Sequence, residues 1–400
     1  MRIVLPLMLV LALLVAGVVL LLGWGDREEE GVRASLSAVA AIAGGDTVGF
    51  ARAVEPRPFV FPEDHGPHPD YRTEWWYLTG NLESDRGDPF GFQLTFFRNS
   101  LSPAPVGRAS EWDTNQLWMA HFALTDVARE AHVVGERFAR GAAGMAGGTA
   151  APFRIWLGDW ELRGVEDDAF PMQLSAEQDG TRVELRLESL KPPVGQGDRG
   201  LSQKGPEPGN ASYYLSWTRL QVEGTVETGG RTHAVQGTGW MDREWSTSAL
   251  SEEHVGWDWF SLQLEDGRDL MFFELRRRDG TSDPLNHGIL VEEGGASRTL
   301  TATEVEVEVL DWWSSPLDGA RYPSGWRLRV PGEALELEVL PRVRDQEMNV
   351  SFRYWEGAVT VLGTAAGRPV EGVGYVELTG YGEEEGVRGG EGGRGGDRTP

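Results

Sequence analysis

Residues 74–83 have the sequence EWWYLTGNLE, and residues 256–265 have the sequence GWDWFSLQLE. Each stretch is followed by a short turn and a second apolar segment, FGFQLTFFR at 90–98 and LMFFELRR at 270–277. Side chains alternate between the two faces of a strand, so each pair of segments predicts a β-hairpin with one apolar face. The repeated design predicts a body built from two similar halves.

Alternation of apolar and charged residues continues through the rest of the body, for example from Val183 to Glu188. Helical spacing is almost absent, and roughly sixteen strand-like segments are separated by Gly, Asp-Gly and Pro turn signals. This pattern predicts an all-β fold with two antiparallel β-barrels packed together. We expect the boundary near 225–235, with a first barrel over 56–230 and a second over 231–381.

The N-terminal sequence predicts a membrane-related segment. Arg2 precedes an uninterrupted apolar run over 3–22, which is followed by the acidic stretch DREEE at 26–30. A run of this length can span a bilayer, and the charges on its two sides favour a body outside the cytoplasm. Residues 1–25 are therefore expected to be a signal anchor or a signal peptide. The protein is expected to be extracytoplasmic, either membrane-anchored or secreted into the periplasm or cell envelope.

Two further segments have compositions that do not favour a packed core. Residues 26–55 contain an Ala-, Gly- and Ser-rich stretch and are expected to form a flexible tether, and residues 382–400 are expected to be a disordered Gly-rich tail.

Composition excludes several classes of function. The formal net charge is −25 and lysine occurs only at Lys191 and Lys204, so no basic surface is available for nucleic acid. The absence of cysteine excludes disulfides, Fe–S clusters and thiol catalysis. The stretch His65-Gly66-Pro67-His68 has metal-like spacing but lies in a proline-stiffened loop, and no phosphate-binding glycine loop occurs. No metal and no cofactor are predicted.

Asp258 is the candidate residue that the alternation singles out. In the first hairpin, the apolar face carries Trp76, Leu78, Gly80 and Leu82, and the matching positions of the second hairpin are Asp258, Phe260, Leu262 and Leu264. Asp258 thus replaces a tryptophan on a face that should point into a barrel. Because burying a carboxylate is costly unless it is paired or protonated, Asp258 is either a structural contact or the site.

A second cluster lies just upstream, where Asp242, Arg243 and Glu244 stand next to Trp245. This cluster fits either a charged, aromatic-walled pocket edge or an Arg–carboxylate network that fixes a loop. Further candidates for ligand binding combine acids with aromatic residues in the second half; they are Trp257, Trp259, Glu347, Trp355, Glu356, Tyr375 and Glu377.

Several motifs occur in a fixed order between Phe61 and Tyr381: FPEDHGPHPDYRTEWWYLTGNL, FGFQLTFFR, QLWMAHFALTD, GLSQKG, GWMDREWS, GWDWFSLQLEDG, YWEGAV and GYVELTGY. This set resembles the AttH/CrtC-like family, which includes proteins described as secreted hydrolases, carotenoid 1,2-hydratases and related fungal hydratases. The resemblance implies two lipocalin-like barrels, in agreement with the strand pattern.

The resemblance also implies roles for individual residues. In the hydratases, an acid in a Trp-Asp-Trp motif protonates a C=C bond and an upstream Trp stabilises the carbocation. These roles would fall on Asp258 and Trp245, with Glu244 beside them as a third catalytic residue. Arg243 stands where the hydratases carry His. An arginine at this position suits an anionic or polar head group and favours the AttH-like branch. Members of the family often accompany ABC-transporter permeases, so such a permease is an expected partner.

Three functions remain open from the sequence. The first is a hydratase or hydrolase of a lipid or isoprenoid, with Asp258 as general acid. The second is a non-catalytic carrier or chaperone that delivers an apolar or amphipathic ligand to an envelope partner. The third is sugar binding on aromatic platforms such as Trp257 and Trp259.

Overall fold

The strands of the body follow from the alternation of apolar and polar residues. In the segment from residue 183 to residue 188, Val183, Leu185 and Leu187 are buried, whereas Glu184 and Glu188 are exposed. The computed structural model describes residues 47–104, 107, 110–166, 168–247, 251 and 253–381. Within these ranges the helices are single 3-10 turns at Glu63–His65, Val127–Arg129 and Pro331–Glu333, and all other regular elements are strands. The predicted all-β fold is confirmed.

The first antiparallel sheet contains thirteen strands. They are β1 (Thr73–Ser84), β2 (Pro89–Ser100), β3 (Gln116–Asp126), β4 (Ala131–Arg140), β5 (Ala146–Thr149), β6 (Arg154–Leu157), β7 (Trp160–Gly164), β8 (Met172–Gln178), β9 (Thr181–Ser189), β10 (Val194–Gly195), β11 (Leu201–Gln203), β12 (Ala211–Thr228) and β13 (Arg231–Ser246). Their order is β4-β3-β2-β1-β13-β12-β9-β8-β7-β6-β5, with β10 and β11 also paired to β12. The sheet curls until β4 lies against β6 and β8, which makes it nearly closed.

The second antiparallel sheet contains ten strands. They are β14 (His254–Leu264), β15 (Asp269–Arg277), β16 (His287–Val291), β17 (Ser297–Thr301), β18 (Glu306–Val309), β21 (Trp326–Val330), β22 (Leu335–Pro341), β23 (Glu347–Asn349), β24 (Arg353–Ala365) and β25 (Arg368–Thr379), while β19 (Trp312–Ser314) and β20 (Arg321–Pro323) form a separate pair. The order is β17-β16-β15-β14-β25-β24-β22-β21-β18, and β23 pairs with β24. This sheet curls into a half-barrel.

The chain leaves the first sheet later than the sequence predicted. The expected boundary at 225–235 falls on the tip of the β12–β13 hairpin, where Gly229 and Gly230 have φ angles of 56° and 71°. Positive φ at both central residues is typical of a two-residue hairpin turn, and β13 pairs with β1 as well as with β12. The passage to the second sheet therefore lies between Ser246 and His254. The Gly-rich stretch is a turn within a sheet and not a linker.

The predicted terminal segments lie only in part within the described residues. The predicted signal segment over 1–25 and the Gly-rich tail over 382–400 lie outside the described residues. Of the predicted tether over 26–55, the part from residue 47 onward packs on the first sheet, with Ala53 fully buried in its core. The stretch from residue 47 to residue 55 therefore belongs to the folded body. Among the described residues, no helix has the length and hydropathy that a membrane crossing requires.

Each sheet encloses its own apolar core. Trp76, Leu78 and Leu82 are buried in the core of the first sheet, and Phe260 and Leu262 are buried in the core of the second. The apolar faces of both hairpins thus point inward, as the alternation predicted. The irregularity in β14 lies between His254 and Gly256, so it precedes the inward-facing positions and leaves their alternation intact.

The outer faces of the two sheets pack against each other. Asp269 of β15 is one of the polar residues that join them: its carboxylate accepts hydrogen bonds from Lys191 Nζ at 2.7 Å and from Thr218 Oγ1 at 2.8 Å. Arg219 Nη2 lies 2.6 Å from the same carboxylate. Since Thr218 and Arg219 belong to β12 of the first sheet and Lys191 follows β9 of the same sheet, this carboxylate links the two sheets.

A network of charged side chains lies at one end of the first core. The Glu74 carboxylate accepts bonds from Arg98 Nε and from Arg243 Nη2, the latter at 2.5 Å. The side chains of Glu74 and Arg243 are both 0% exposed. Burial would raise the pKa of Glu74, but the two guanidinium groups outweigh it and hold the pKa well below its usual range. Glu74 is therefore ionised and compensates two buried cations.

We predict that Glu74→Gln destabilises the protein strongly, because it leaves Arg98 and Arg243 buried without a counter-charge. Breaking a buried ion pair in this way costs about 3–5 kcal/mol of unfolding free energy, which urea unfolding monitored by tryptophan fluorescence would measure. Glu184→Gln is the matched control, since the pair of Glu184 with Arg182 lies on the surface. Equal losses in the two variants would show that the network does not stabilise the fold.

Candidate functional site

The faces of the two hairpins that point away from the cores meet at a cavity of about 120 Å³. Trp75 and Tyr77 of β1 line one wall, and Trp257 and Trp259 of β14 line the other. The rings of Tyr77 and Trp259 pack edge to face with their centroids 5.1 Å apart. The two stretches that resemble each other in sequence therefore face one another across a single cavity.

The wall of the cavity combines aromatic rings with carboxyl groups. The aromatic residues are Trp75, Tyr77, Phe97, Tyr214, Trp257, Trp259, Phe273 and Tyr354, the acidic residues are Asp242, Glu244, Glu356 and Glu377, and the remaining residues are Thr95, Lys204, Ser212, Ser246 and Leu275. A concave, mostly apolar site with a few convergent polar groups is typical of small-molecule binding.

Asp242 lies in the middle of the wall that the first sheet provides. Its carboxylate accepts hydrogen bonds from the Tyr214 hydroxyl, from Ser216 Oγ at 2.6 Å and from Trp240 Nε1 at 2.7 Å. The Tyr214 oxygen in turn accepts a bond from Trp259 Nε1 of the second sheet at 3.0 Å. Burial raises the pKa of Asp242 to about 7, although the three bonds favour its ionised form. Asp242 can therefore exchange a proton at neutral pH.

Glu356 and Glu377 form the second acidic group, on the wall that the second sheet provides. They are directly opposite each other in the register of β24 and β25, so their side chains are neighbours on the same face. In the described part of the chain, neither carboxyl forms an ion pair with a cation. Glu356 Oε1 accepts a bond from the Tyr77 hydroxyl, whereas Glu356 Oε2 is buried without a hydrogen-bond partner among the described residues.

The environment of this pair favours protonation. Burial, and after it the charge of Glu377, raises the pKa of Glu356 well above its ordinary value. Burial also raises the pKa of Glu377 to about 7. Two like charges at adjacent buried positions cannot both be ionised at low cost, so the pair retains a proton at neutral pH. A carboxyl with one unpaired oxygen at the cavity wall can donate this proton to a bound molecule.

One cation lies among the residues that line the cavity. Lys204 Nζ is 3.4 Å from Glu244 Oε1 and 4.2 Å from the centroid of the Phe273 ring. Its side chain is partly exposed, so this pair lies where the cavity approaches solvent. A polar end of a bound molecule would find charged partners here.

The structure brings together half of the site residues that the sequence predicted. Asp242, Glu244, Trp257, Trp259, Glu356 and Glu377 line the cavity, whereas Arg243, Trp245, Asp258, Glu347, Trp355 and Tyr375 do not. The division follows strand alternation, because neighbours in a strand face opposite sides of the sheet.

Asp258 lies on the inner side of the second sheet. Its carboxylate accepts a bond from the Tyr381 hydroxyl at 2.8 Å and lies 2.9 Å from Arg276 Nε. Burial raises the pKa of Asp258 to about 6, although Arg276 lowers it. Trp257 and Trp259, its neighbours in β14, face the cavity from which Asp258 points away.

Strand alternation also points Arg243 of β13 away from the cavity that its neighbours face. Asp242 and Glu244 face the cavity, so Arg243 between them points into the first core, where it belongs to the network of Glu74. Of the two interpretations of this cluster, the three residues do not form one charged pocket edge. Arg243 instead belongs to an Arg–carboxylate network, with Glu74 and not with its two neighbours. Trp245 also lies in the first core, stacked on His68 with ring centroids 4.0 Å apart.

The other candidates that lie outside the cavity have structural contacts. Glu347 accepts bonds from Ser315 Oγ at 2.6 Å and from the Tyr322 hydroxyl at 2.8 Å, away from the cavity. Trp355 packs in the second core, and Tyr375 is buried between the sheets.

Sequence reasoning did not select Tyr77 and Tyr214 of the cavity, and it noted Tyr354 only as part of the stretch from residue 354 to residue 357 that combines acids with aromatic residues. The signal that could have found Tyr77 is its place on the polar–aromatic face of the first hairpin, opposite Asp242 in the register. Nothing local to the sequence indicates that another sheet covers this face.

We predict that Asp242 makes the protein less stable as pH rises from about 4 to about 7. Folded Asp242, with its pKa raised to about 7, holds a proton there that the unfolded chain has released. Its contribution to the free energy of unfolding therefore falls by up to about 1.4 kcal/mol per pH unit.

Urea unfolding across this pH range should show that Asp242→Asn reduces the slope by up to about 1.4 kcal/mol per pH unit. The contributions of Asp258, Glu356 and Glu377, whose pKa values are also raised, remain. Glu304→Gln is the control, because bonds from the Thr301 backbone and from Arg298 lower the pKa of Glu304 to about 2, outside the window. A slope in Asp242→Asn equal to that of the wild-type protein would mean that Asp242 is ionised throughout.

Comparison with known proteins agrees with this architecture. The crystal structure of a protein from Nitrosomonas europaea assigned as AttH superposes with a TM-score of 0.74 and is 36% identical, covering 83% of this chain and 100% of the other. The crystal structure of kievitone hydratase from Nectria haematococca has the same fold, with a TM-score of 0.62 and 15% identity over 83% of this chain and 98% of the other.

A curated kievitone hydratase of Fusarium solani subsp. phaseoli is 21% identical over 239 residues, which are 56% of this chain and 64% of that protein. The match thus spans less than two thirds of the curated relative. The family model described as AttH-like matches residues 52–381, which is the whole two-sheet body. The chain therefore belongs to the AttH-like family.

Proposed function

We propose that the protein is a hydratase that protonates a C=C bond of a largely apolar molecule bound between the two sheets. The observation that carries this proposal is the pair of Glu356, which is fully buried, and Glu377, which is partly buried. The pair faces an aromatic wall and has no cationic partner among the described residues. Relatedness to kievitone hydratase supports the reaction class.

Each step of the hydration has a group in the cavity that can carry it out. The Glu356 carboxyl gives its proton to one alkene carbon, and a carbocation develops at the other carbon. The faces of Trp257 and Trp259 stabilise this cation in a site with little water. A water molecule adds to the cation and loses a proton to Glu377, which is ionised in part at neutral pH. The product is an alcohol, and transfer of one proton from Glu377 to Glu356 restores the pair.

The cavity also limits the class of substrate. Its aromatic wall favours an apolar body such as an isoprenoid or acyl chain, and the Lys204–Glu244 pair at its partly exposed side favours one polar end. We therefore propose an apolar or amphipathic substrate. Trp257 and Trp259 face this cavity and not an open outer surface, so a sugar-binding platform receives no support.

The first test compares the acid proposed here with the acid expected from the sequence. Glu356→Gln keeps the shape of the neutral carboxyl and can accept the Tyr77 bond but cannot donate an acidic proton. We predict a loss of roughly 10²–10⁴-fold in turnover, with ligand affinity largely retained. Asp258→Asn is the matched variant, and we predict that it keeps turnover because Asp258 points away from the cavity. The probes are kievitone and simple branched alkenes, incubated in ¹⁸O-labelled water and analysed by mass spectrometry.

The result identifies the acid. Loss of turnover in Asp258→Asn with full activity in Glu356→Gln would contradict the proposal and assign the chemistry to the second core. Binding of the probes without formation of any labelled alcohol by the wild-type protein would instead favour the alternative function, a carrier of apolar ligands.

We also propose that the body works outside the cytoplasm, at the membrane or in the envelope. The support is the apolar run over 3–22, which lies outside the described residues. An ABC-transporter permease is the proposed partner in the carrier alternative.

A further inference from the structure

A chain of three hydrogen-bonded residues leads from the cavity towards the surface of the first sheet. Tyr354, which lines the cavity, bonds through its hydroxyl to His121 Nδ1 at 2.8 Å. His121 Nε2 lies 3.0 Å from Glu136 Oε1. The His121 side chain is 0% exposed, whereas the Glu136 side chain is 17% exposed and reaches solvent. The chain therefore connects a buried site with water through groups that all exchange protons.

The protonation states of the three residues are compatible with transfer. Burial lowers the pKa of His121, so the ring is neutral and has one donor and one acceptor nitrogen. Burial opposes ionisation of Glu136, but bonds from His121 and Ser351 outweigh it and lower the pKa. The ionised carboxylate must accept from Nε2–H, so Nδ1 accepts from the Tyr354 hydroxyl. The two hydrogen bonds of the ring therefore run in the same direction, from the Tyr354 hydroxyl through His121 to the Glu136 carboxylate.

The inner end of the chain lies beside the proposed acid. Tyr354 and Glu356 are two residues apart in β24, so both side chains project from the same face of the strand into the cavity. Both residues line the cavity of about 120 Å³, which is large enough to hold water.

We propose that Glu136, His121 and Tyr354 form a proton path that equilibrates the cavity carboxyls with solvent. The inference rests on the proposed function, because the Glu356–Glu377 pair must hold one proton before a turnover begins, and a site between two sheets needs a route by which solvent sets that state. His121 and Glu136 act through Tyr354 and are positioning residues.

The transfer balances in protons and charge. Inward transfer starts from the other tautomer of His121, which carries its hydrogen on Nδ1. Glu136 takes a proton from water and passes it to the unprotonated Nε2, while Nδ1–H passes its proton to the Tyr354 oxygen. Tyr354 releases its own hydroxyl proton to a cavity carboxylate, directly or through water. Glu136 ends ionised and the cavity carboxyl ends protonated, and both ring nitrogens return to the arrangement described above. A tautomer change of His121 prepares the next transfer.

A purely structural role is the competing explanation. His121 and Glu136 belong to the first sheet, whereas Tyr354 and Ser351 belong to the second half of the chain. Ser351 Oγ donates to Glu136 Oε2 at 2.7 Å, so these contacts also join the sheets. A test must therefore separate proton exchange from stability.

The experiment measures hydrogen–deuterium exchange of the buried carboxyl by infrared spectroscopy after transfer of the full chain into D₂O, without any substrate. The band to follow is the protonated-carboxyl band that disappears in Glu356→Gln. Glu136→Gln is the decisive variant, because its amide oxygen still accepts the bond from His121 but cannot take up a proton from solvent. We expect exchange of the band to slow by roughly tenfold or more.

Two further variants complete the test. His121→Phe interrupts the path but keeps a ring against Phe97 and Phe352, and it should also slow exchange. Thr125→Val is the matched control, because it removes another buried cross-sheet bond, from Thr125 Oγ1 to Gln346 Oε1 at 2.9 Å, which is off the path. It should leave the exchange rate unchanged.

The outcomes separate this inference from the proposed function. Exchange at the wild-type rate in Glu136→Gln overturns the path and leaves the hydratase proposal standing. Equal slowing in Thr125→Val overturns the path as well, since loosened packing would then explain the effect. Absence of any protonated-carboxyl band in the wild-type protein overturns both the acid and the path. Slowed exchange together with absent turnover supports the path and contradicts hydratase activity.

Discussion

The two central hairpins are buried on both faces, and the rest of the structure depends on this constraint. Because side chains alternate along a strand, one face of each hairpin points into the core of its sheet and the other lies in the contact between the two sheets. The core faces carry residues such as Trp76 and Phe260 and fill with apolar side chains. The outer faces carry polar residues among aromatic ones, and covering them removes water from acidic groups. The cavity is the part of this contact that the side chains do not fill.

The acids of the body differ in whether a cation neutralises them. Arg243 and Arg276 contact Glu74 and Asp258 on the inner sides of the two sheets. In the contact between the sheets, Lys191 and Arg219 neutralise Asp269. At the cavity, however, Glu356 and Glu377 lie opposite each other without a cation, and burial there favours the protonated form. Charged pairs therefore stabilise the sheets and join them, while this part of the cavity wall retains an acidic proton.

The sequence predicted those features of the fold that depend only on residues close together in the chain. The inward positions of the hairpins, such as Leu78 and Leu262, followed from alternation alone, and so did the all-β fold. The boundary at 225–235 was misplaced because Gly229-Gly230 has the composition of a linker and the geometry of a hairpin turn. The bond between Tyr77 and Glu356 joins residues 279 positions apart, and no local pattern indicates that these faces meet.

Asp258 shows why burial by itself does not identify an acid catalyst. The alternation placed it correctly on an inward face, and burial raises its pKa to about 6. Arg276 and Tyr381, however, bind its carboxylate and lower the pKa, and Asp258 does not line the cavity between the sheets. Asp258 and Glu356 each lie opposite another acid in the neighbouring strand, Glu274 and Glu377. Glu356 differs in that its Oε2 has no hydrogen-bond partner, and its carboxyl no cation, among the described residues. A general acid must remain protonated in its surroundings, and it must adjoin a cavity in which the substrate can bind. Within the described body, Glu356 meets both conditions.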